Sequence, residues 1–145
     1  MGKELAPLVS ARLGRTLLEL GGNNAAIICP TADLDLTVKG VTFSAAGTTG
    51  QRCTTLRRAF VHEDIYEEFM EKLFAYYATL KIGDPSDKSS QLGPLISKNS
   101  FDGMQKVLKS LQKKNIKIHG GQRLDVGDPN DFYVMPAIVE VSKIE

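Results

Sequence analysis

Short apolar runs alternate along this chain with longer stretches whose apolar residues recur every three or four positions, and this alternation constrains the fold most. Ala25–Cys29 is a continuous apolar run and reads as a fully buried strand. Pro30-Thr31-Ala32-Asp33 then breaks the strand and sets Asp33 as the N-cap of a helix running to about Ala46. Ala59–His62 is strand-like, and Asp64–Leu80 carries the clearest helical pattern. Ile65, Phe69, Leu73 and Tyr76 fall on one face of it, with Glu67, Glu68, Glu71 and Lys72 largely opposite. Gly83-Asp84-Pro85 and Gly93-Pro94 are turn chemistry, and Phe101, Met104, Leu108 and Leu111 mark another amphipathic helix. Leu5, Leu8, Val9 and Leu13 form an earlier helical stripe, while Arg15–Leu20, Ile116–Ile118 and Ala137–Val141 read as short strands. Strands interleaved with helices predict an α/β fold with a largely parallel sheet flanked by helices.

Composition removes several functional classes. At 145 residues the chain has the length of one domain with a core of ordinary size. A net charge of +1 provides no attraction for nucleic acid or an anionic membrane, and Lys109, Lys113 and Lys114 read as the wet side of a helix. No apolar run approaches the ~20 residues of a membrane span, and no signal peptide is visible after Met1. His62 and His119, the only histidines, have no ligand spacing around them, so no metal site is expected. Two cysteines are too few for a disulfide framework and point to a reducing, cytoplasmic setting. Cys29 closes an apolar run and reads as a buried strand cysteine acting as a small hydrophobe.

Cys53 differs, because it sits in Gly50-Gln51-Arg52-Cys53-Thr54-Thr55, downstream of Leu18-Glu19-Leu20-Gly21-Gly22-Asn23-Asn24. A thiol and a carboxylate, each beside flexible glycines, are the parts needed to form and hydrolyse a thioester. The thiolate is the nucleophile, so a thiol of ordinary pKa ~8.5 must first lose its proton. Arg52 and the backbone N–H groups of the loop favour that loss, and Glu19 is the candidate base for activating water. Gly21 and Gly22 let backbone approach a flat ring and leave the carboxylate free to swing. Taken singly, each run has a plainer reading: Cys53 as a buried cysteine, Glu19 as a cap or a solvated charge. A cofactor-independent thioester hydrolase and a non-enzymatic folding or association module also remain open, whereas nothing ties Cys53 to His62.

Together the two runs closely resemble the aldehyde dehydrogenase superfamily. Gly22-Asn23-Asn24 and Arg52-Cys53-Thr54-Thr55-Leu56-Arg57-Arg58 are similar to its antiquitin branch, the α-aminoadipic semialdehyde dehydrogenases. Further matches are Ala32-Asp33-Leu34-Asp35, Gly83-Asp84-Pro85, Gly93-Pro94, Gly120-Gly121 and Tyr133-Val134-Met135-Pro136-Ala137, so the likeness covers nearly the whole chain.

The resemblance implies NAD- or NADP-dependent oxidation of a small-molecule aldehyde to a carboxylate. Cys53 aligns with the catalytic thiol, Glu19 with the general base, and Leu20 and Gly21 with backbone near the nicotinamide. The Cys53 N–H would supply one oxyanion donor. Arg52 has two readings: a structural or solvated charge, or a guanidinium fork for the far carboxylate of an acidic semialdehyde. Thr54 is taken with it as substrate-facing, and Arg57 and Arg58 as strand anchors. Family members are homo-oligomers roughly three times this length by domain-size reasoning. Residues 1–145 are therefore expected to be part of a catalytic domain. Gly2 would be the last glycine of the family's Gly-Ser-Thr-X-X-Gly turn. The cofactor domain, oligomerisation arm and second oxyanion donor would lie outside the chain, leaving it neither binding NAD tightly nor turning over aldehyde alone.

Overall fold

The computed structural model describes residues 1–141. In chain order the elements are α1 (Gly2–Ala11), β1 (Asn24–Ile28), α2 (Leu34–Ala46), β2 (Leu56–Val61), α3 (Tyr66–Ala78), α4 (Lys98–Lys113), β3 (Lys117–His119) and β4 (Ile138–Glu140). β1 and β2 pair in parallel with α2 as their crossover, the arrangement expected of a βαβ unit. Asp33 caps α2, its Oδ1 accepting from the Leu36 N–H at 3.0 Å. The expected helix from Asp64 begins as a single tight turn over Glu63–Ile65, where His62 Nδ1 accepts from the Asp64 N–H, and continues as α3. α2 and α3 pack together over one side of the strands. The resulting core is Ile28, Val38, Val41, Phe69, Met70, Leu73 and Tyr77. Phe69 and Leu73 are buried as the helical pattern predicts, while Tyr77 rather than Tyr76 completes the stripe.

The second pair, β3 and β4, is antiparallel, with Ile118 opposite Val139. The two pairs are separate two-stranded sheets among the described residues, and the α/β character rests on the parallel one. α4, opened by Ser97 accepting from the Ser100 N–H, packs against β3 through Leu108. Gly121 sits at φ +84, and a Cβ there would lie 2.5 Å from Leu108 Cδ1, so this turn requires glycine. A polar cluster joins the antiparallel pair to α3. Glu140 accepts from Lys117 at 2.8 Å and from Tyr66 at 2.6 Å, and lies 2.6 Å from His119 Nε2, whose ring stacks on Phe74. The Lys117 bond first, then Tyr66 and His119, hold the Glu140 carboxyl down to about 2, against the opposing effect of burial. Burial, reinforced by Glu140, pushes the Tyr66 phenol up to about 12.

Three expectations from sequence are corrected. Arg15–Leu20 forms no strand; it is irregular and exposed, because no neighbouring strand in the described residues pairs with it. Ala25–Cys29 is not fully buried, since only the Ile28 side of β1 is covered by helices. Cys29 lies one residue beyond β1 and is exposed, because the side-chain alternation that turns Ile28 inward turns its neighbour out.

Candidate active site

The two chemistry-bearing runs are joined at Gly22–Asn24. In the β1–β2 register Asn24 opposes Leu56 and Ala25 opposes Arg58, so Arg57 is the extra residue of a bulge. Its guanidinium donates to the Gly22 carbonyl at 2.6 Å, and that of Arg58 to the Asn23 carbonyl at 2.6 Å. Both arginines therefore hold backbone, as the sequence predicts. The Asn24 side-chain amide crosses to the nucleophile loop, donating to the Cys53 carbonyl at 2.8 Å and the Thr55 carbonyl at 3.1 Å. A Cβ at Gly22 would lie 2.7 Å from that Cys53 oxygen, so only glycine permits this approach.

The loop delivering Cys53 begins where α2 ends. Thr48 (φ 54°, ψ 31°), Thr49 (φ 54°, ψ 39°) and Gly50 (φ 71°) are three successive left-handed residues. For β-branched residues this conformation costs about 1–3 kcal/mol each. Outside contacts hold it: Thr49 Oγ1 donates to the Gly93 carbonyl at 2.7 Å, and Gln51 Oε1 accepts from the Ile96 N–H at 2.8 Å. Gln51 Nε2 also reaches the Thr48 and Pro94 carbonyls at 3.2 and 3.3 Å. Behind Cys53, the Arg52 N–H donates to the hydroxyl of buried Thr55 at 3.0 Å, closing the turn. Gly93-Pro94 is thus more than a turn, because it braces the nucleophile loop.

Cys53 and Thr54 are exposed on the loop. The Arg52 guanidinium lies 5.0 Å from the Phe43 ring and donates through Nη2 to the Phe43 carbonyl at 2.6 Å, while its buried Nε has no partner. It lines an open hollow of about 360 Å³ with Lys39, Thr42, Thr48 and Tyr76, whose walls include neither Cys53 nor Glu19. Glu19, Leu20 and Gly21 are exposed on the irregular run before β1, and no hydrogen bond ties Glu19 to Cys53 among the described residues. Around Gly21 there is open space, with nothing within 4 Å of where a Cβ would be. Gly2, at the start of α1, lies against Leu20: a Cβ on it would stand 3.2 Å from Leu20 Cδ1. The structure therefore brings Gly2 to Leu20 and the Gly22–Asn24 end of the glutamate run to Cys53, and leaves Glu19 exposed without a hydrogen bond to Cys53.

Asn24, Gln51 and Thr49 are the positioning side chains that sequence reasoning did not single out. The polar Asn23-Asn24 pair directly after Gly21-Gly22 was the available signal, but spacing alone does not say which amide reaches across. Chemically, the site offers an accessible thiol, an exposed carboxylate, oriented loop peptides and an open glycine flank.

Comparison with known proteins shows the family of the chain. The profile of the aldehyde dehydrogenase family matches residues 1–144. An aldehyde dehydrogenase family 7 member A1 from Brassica napus is 42% identical over 142 residues, covering 98% of this chain and 28% of that protein. An alpha-aminoadipic semialdehyde dehydrogenase from Mus musculus is 42% identical over 140 residues, covering 96% of this chain and 25% of that protein. Among solved structures, a 3,6-anhydro-L-galactose dehydrogenase in complex with NAP superposes with a TM-score of 0.87 at 27% identity, over 95% of this chain and 29% of that one. The chain belongs to the aldehyde dehydrogenase family. It spans about a quarter of the length of the curated relatives it matches, and no helix among the described residues is long and apolar enough to cross a membrane.

Proposed function

We propose that this chain is the nucleophile-and-base segment of an NAD- or NADP-dependent aldehyde dehydrogenase. The observation that carries the reading is the Asn24 bridge, which joins the glutamate run to the Cys53 loop in one constellation. Cys53 Sγ, as thiolate, adds to the aldehyde carbonyl, and the Cys53 N–H donates to the alkoxide that forms. NAD(P), when bound, supplies the hydride acceptor. Leu20, Gly21 and Gly2 would line the nicotinamide side, and the open flank of Gly21 fits a flat ring. Glu19 swings in to take a proton from water, which attacks the acyl carbon and expels the Cys53 sulfur. Because the chain spans only 25–28% of its relatives, we expect it alone to hold NAD(P) weakly and to show no NAD(P)-dependent aldehyde turnover.

An activated ester tests the two residues without the cofactor. Mixing the chain with p-nitrophenyl acetate should release a stoichiometric burst of p-nitrophenolate that survives Cys29→Ser and vanishes in Cys53→Ala. In Glu19→Gln the burst should remain while deacylation slows by about 100-fold, the range of a lost general base. A burst that persists in Cys53→Ala overturns the assignment.

The substrate reading is an acidic semialdehyde, aminoadipic semialdehyde in particular, with Thr54 at the loop tip and Arg52 meeting the far carboxylate. The exposed Nη2 bond to the Phe43 carbonyl leaves the end of the Arg52 guanidinium able to offer donors. In an intact relative sharing the Arg-Cys-Thr-Thr run, alanine at the position of Arg52 should raise KM for aminoadipic semialdehyde at least tenfold and leave KM for an uncharged aldehyde unchanged. Equal effects on both substrates would remove the carboxylate role.

A second reading has one observation behind it. Leu13, Leu17, Ile27 and Ile96 are each more than three-quarters exposed, and apolar surface of this kind, where contiguous, marks association sites. On that reading the chain acts by associating with another polypeptide.

A further inference from the structure

We propose that Asn24 is a positioning residue for the Cys53 nucleophile. Its side-chain amide fixes the peptide that follows Cys53 and thereby keeps the negative end of that carbonyl away from the thiolate. The inference rests on the reading of Cys53 as nucleophile and goes beyond it, because Asn24 touches no reacting atom.

The geometry is specific. One nitrogen, Asn24 Nδ2, donates to two carbonyls of the same loop, Cys53 at 2.8 Å and Thr55 at 3.1 Å. Both amide protons are used, so the side chain spans the turn and locks its two peptides relative to each other. Gly22 packs beside the Asn24 amide against the same Cys53 oxygen. Asn24 is itself held: it opens β1 opposite Leu56, and the carbonyl of its neighbour Asn23 is tied down by Arg58. A carbonyl freed of its donors can rotate, and a rotated Cys53 carbonyl would direct its oxygen toward its own Sγ, where it disfavours a negative sulfur. The arrangement also aims the Thr54 N–H, on the far side of the same peptide, in one direction.

The test uses the 145-residue chain with iodoacetamide, whose alkylation needs no cofactor: the Cys53 thiolate forms a C–S bond and iodide leaves. Cys29, also exposed, is the internal reference, and each site is followed by peptide mass spectrometry. Asn24→Ala should slow Cys53 alkylation at pH 7 by about threefold to tenfold while Cys29 keeps its rate. Asn24→Asp, which sets a carboxylate against two carbonyls, should slow Cys53 further, and Asn24→Ser, which retains a donor, should restore part of the rate. In 13C-labelled chain the Cys53 and Thr55 carbonyl carbons should move upfield in Asn24→Ala, while Gly22 and Asn23, held by the arginines, stay in place. An unchanged Cys53-to-Cys29 rate ratio in a folded Asn24→Ala or Asn24→Ser chain overturns the inference, as does an equal slowing of both cysteines. Failure of the nucleophile reading looks different: Cys53 would then alkylate no faster than Cys29 in the unsubstituted chain.

Discussion

Ile27 and Ile28 are adjacent in β1 and opposite in surroundings. Ile28 is 3% exposed under α2 and α3, whereas Ile27 is 79% exposed on the bare side of the same two strands. The contrast extends beyond the pair. On the covered side the apolar residues of α2, α3 and β1 interlock around Phe69, which is wholly buried. Away from that core, Leu17, Leu18 and Leu20, around Glu19, are exposed. One half of the molecule is a finished core. The loops at the N-terminal ends of the two strands carry the candidate site, held by hydrogen bonds from Asn24, Arg57, Arg58 and Gln51 rather than by apolar packing. The core thus rests on one side of a small sheet and the candidate site on loops at its end, and substitutions in the two regions should separate their effects.

The largest effect should come from the covered side. Phe69→Ala deletes a fully buried ring and should cost about 3–5 kcal/mol, read as a shift of the urea midpoint or as loss of cooperative unfolding. Its counterpart Ile27→Thr, one strand face away, should change stability by no more than about 0.5 kcal/mol. A comparable cost at Ile27 would mean that the bare face is packed in solution, by a second copy or another segment, and the contrast would fail. Between them lies Glu140, which ties β3–β4 to α3. Glu140→Gln should cost about 1–3 kcal/mol at pH 7 by leaving Lys117 and Tyr66 poorly paired. The sign with pH follows from its lowered carboxyl. The stabilisation is complete above the ordinary value of 4.5 and fades as pH falls toward about 2. Urea unfolding between pH 5 and pH 2.5 should therefore show a steeper acid loss in the unsubstituted chain than in Glu140→Gln.

Much of this was readable from residues because the responsible forces are local. Asp33 caps α2 through a bond to the third residue on, and the recurrence of Phe69 and Leu73 sets which side of α3 turns inward. The thiol and carboxylate runs were likewise evident as chemistry and as kinship. What misled was hydrophobicity without a partner: Arg15–Leu20 has the composition of a strand and Cys29 that of a core residue, yet neither is buried. A strand exists only if another strand accepts its hydrogen bonds, and a residue is buried only if something lies over it.

The order of residues alone was enough to specify the helices, the βαβ unit and the family, and to single out Cys53 and Glu19 as candidates, since these depend on periodicity, caps and short motifs. Folding in three dimensions decided that Asn24 is the amide reaching Cys53, that Gln51 and Thr49 brace the strained loop against Gly93–Ile96, and that one face of the parallel pair is left open. Those contacts join residues far apart in the chain. Their existence depends on the register and bulge of β1 against β2, which no local pattern encodes.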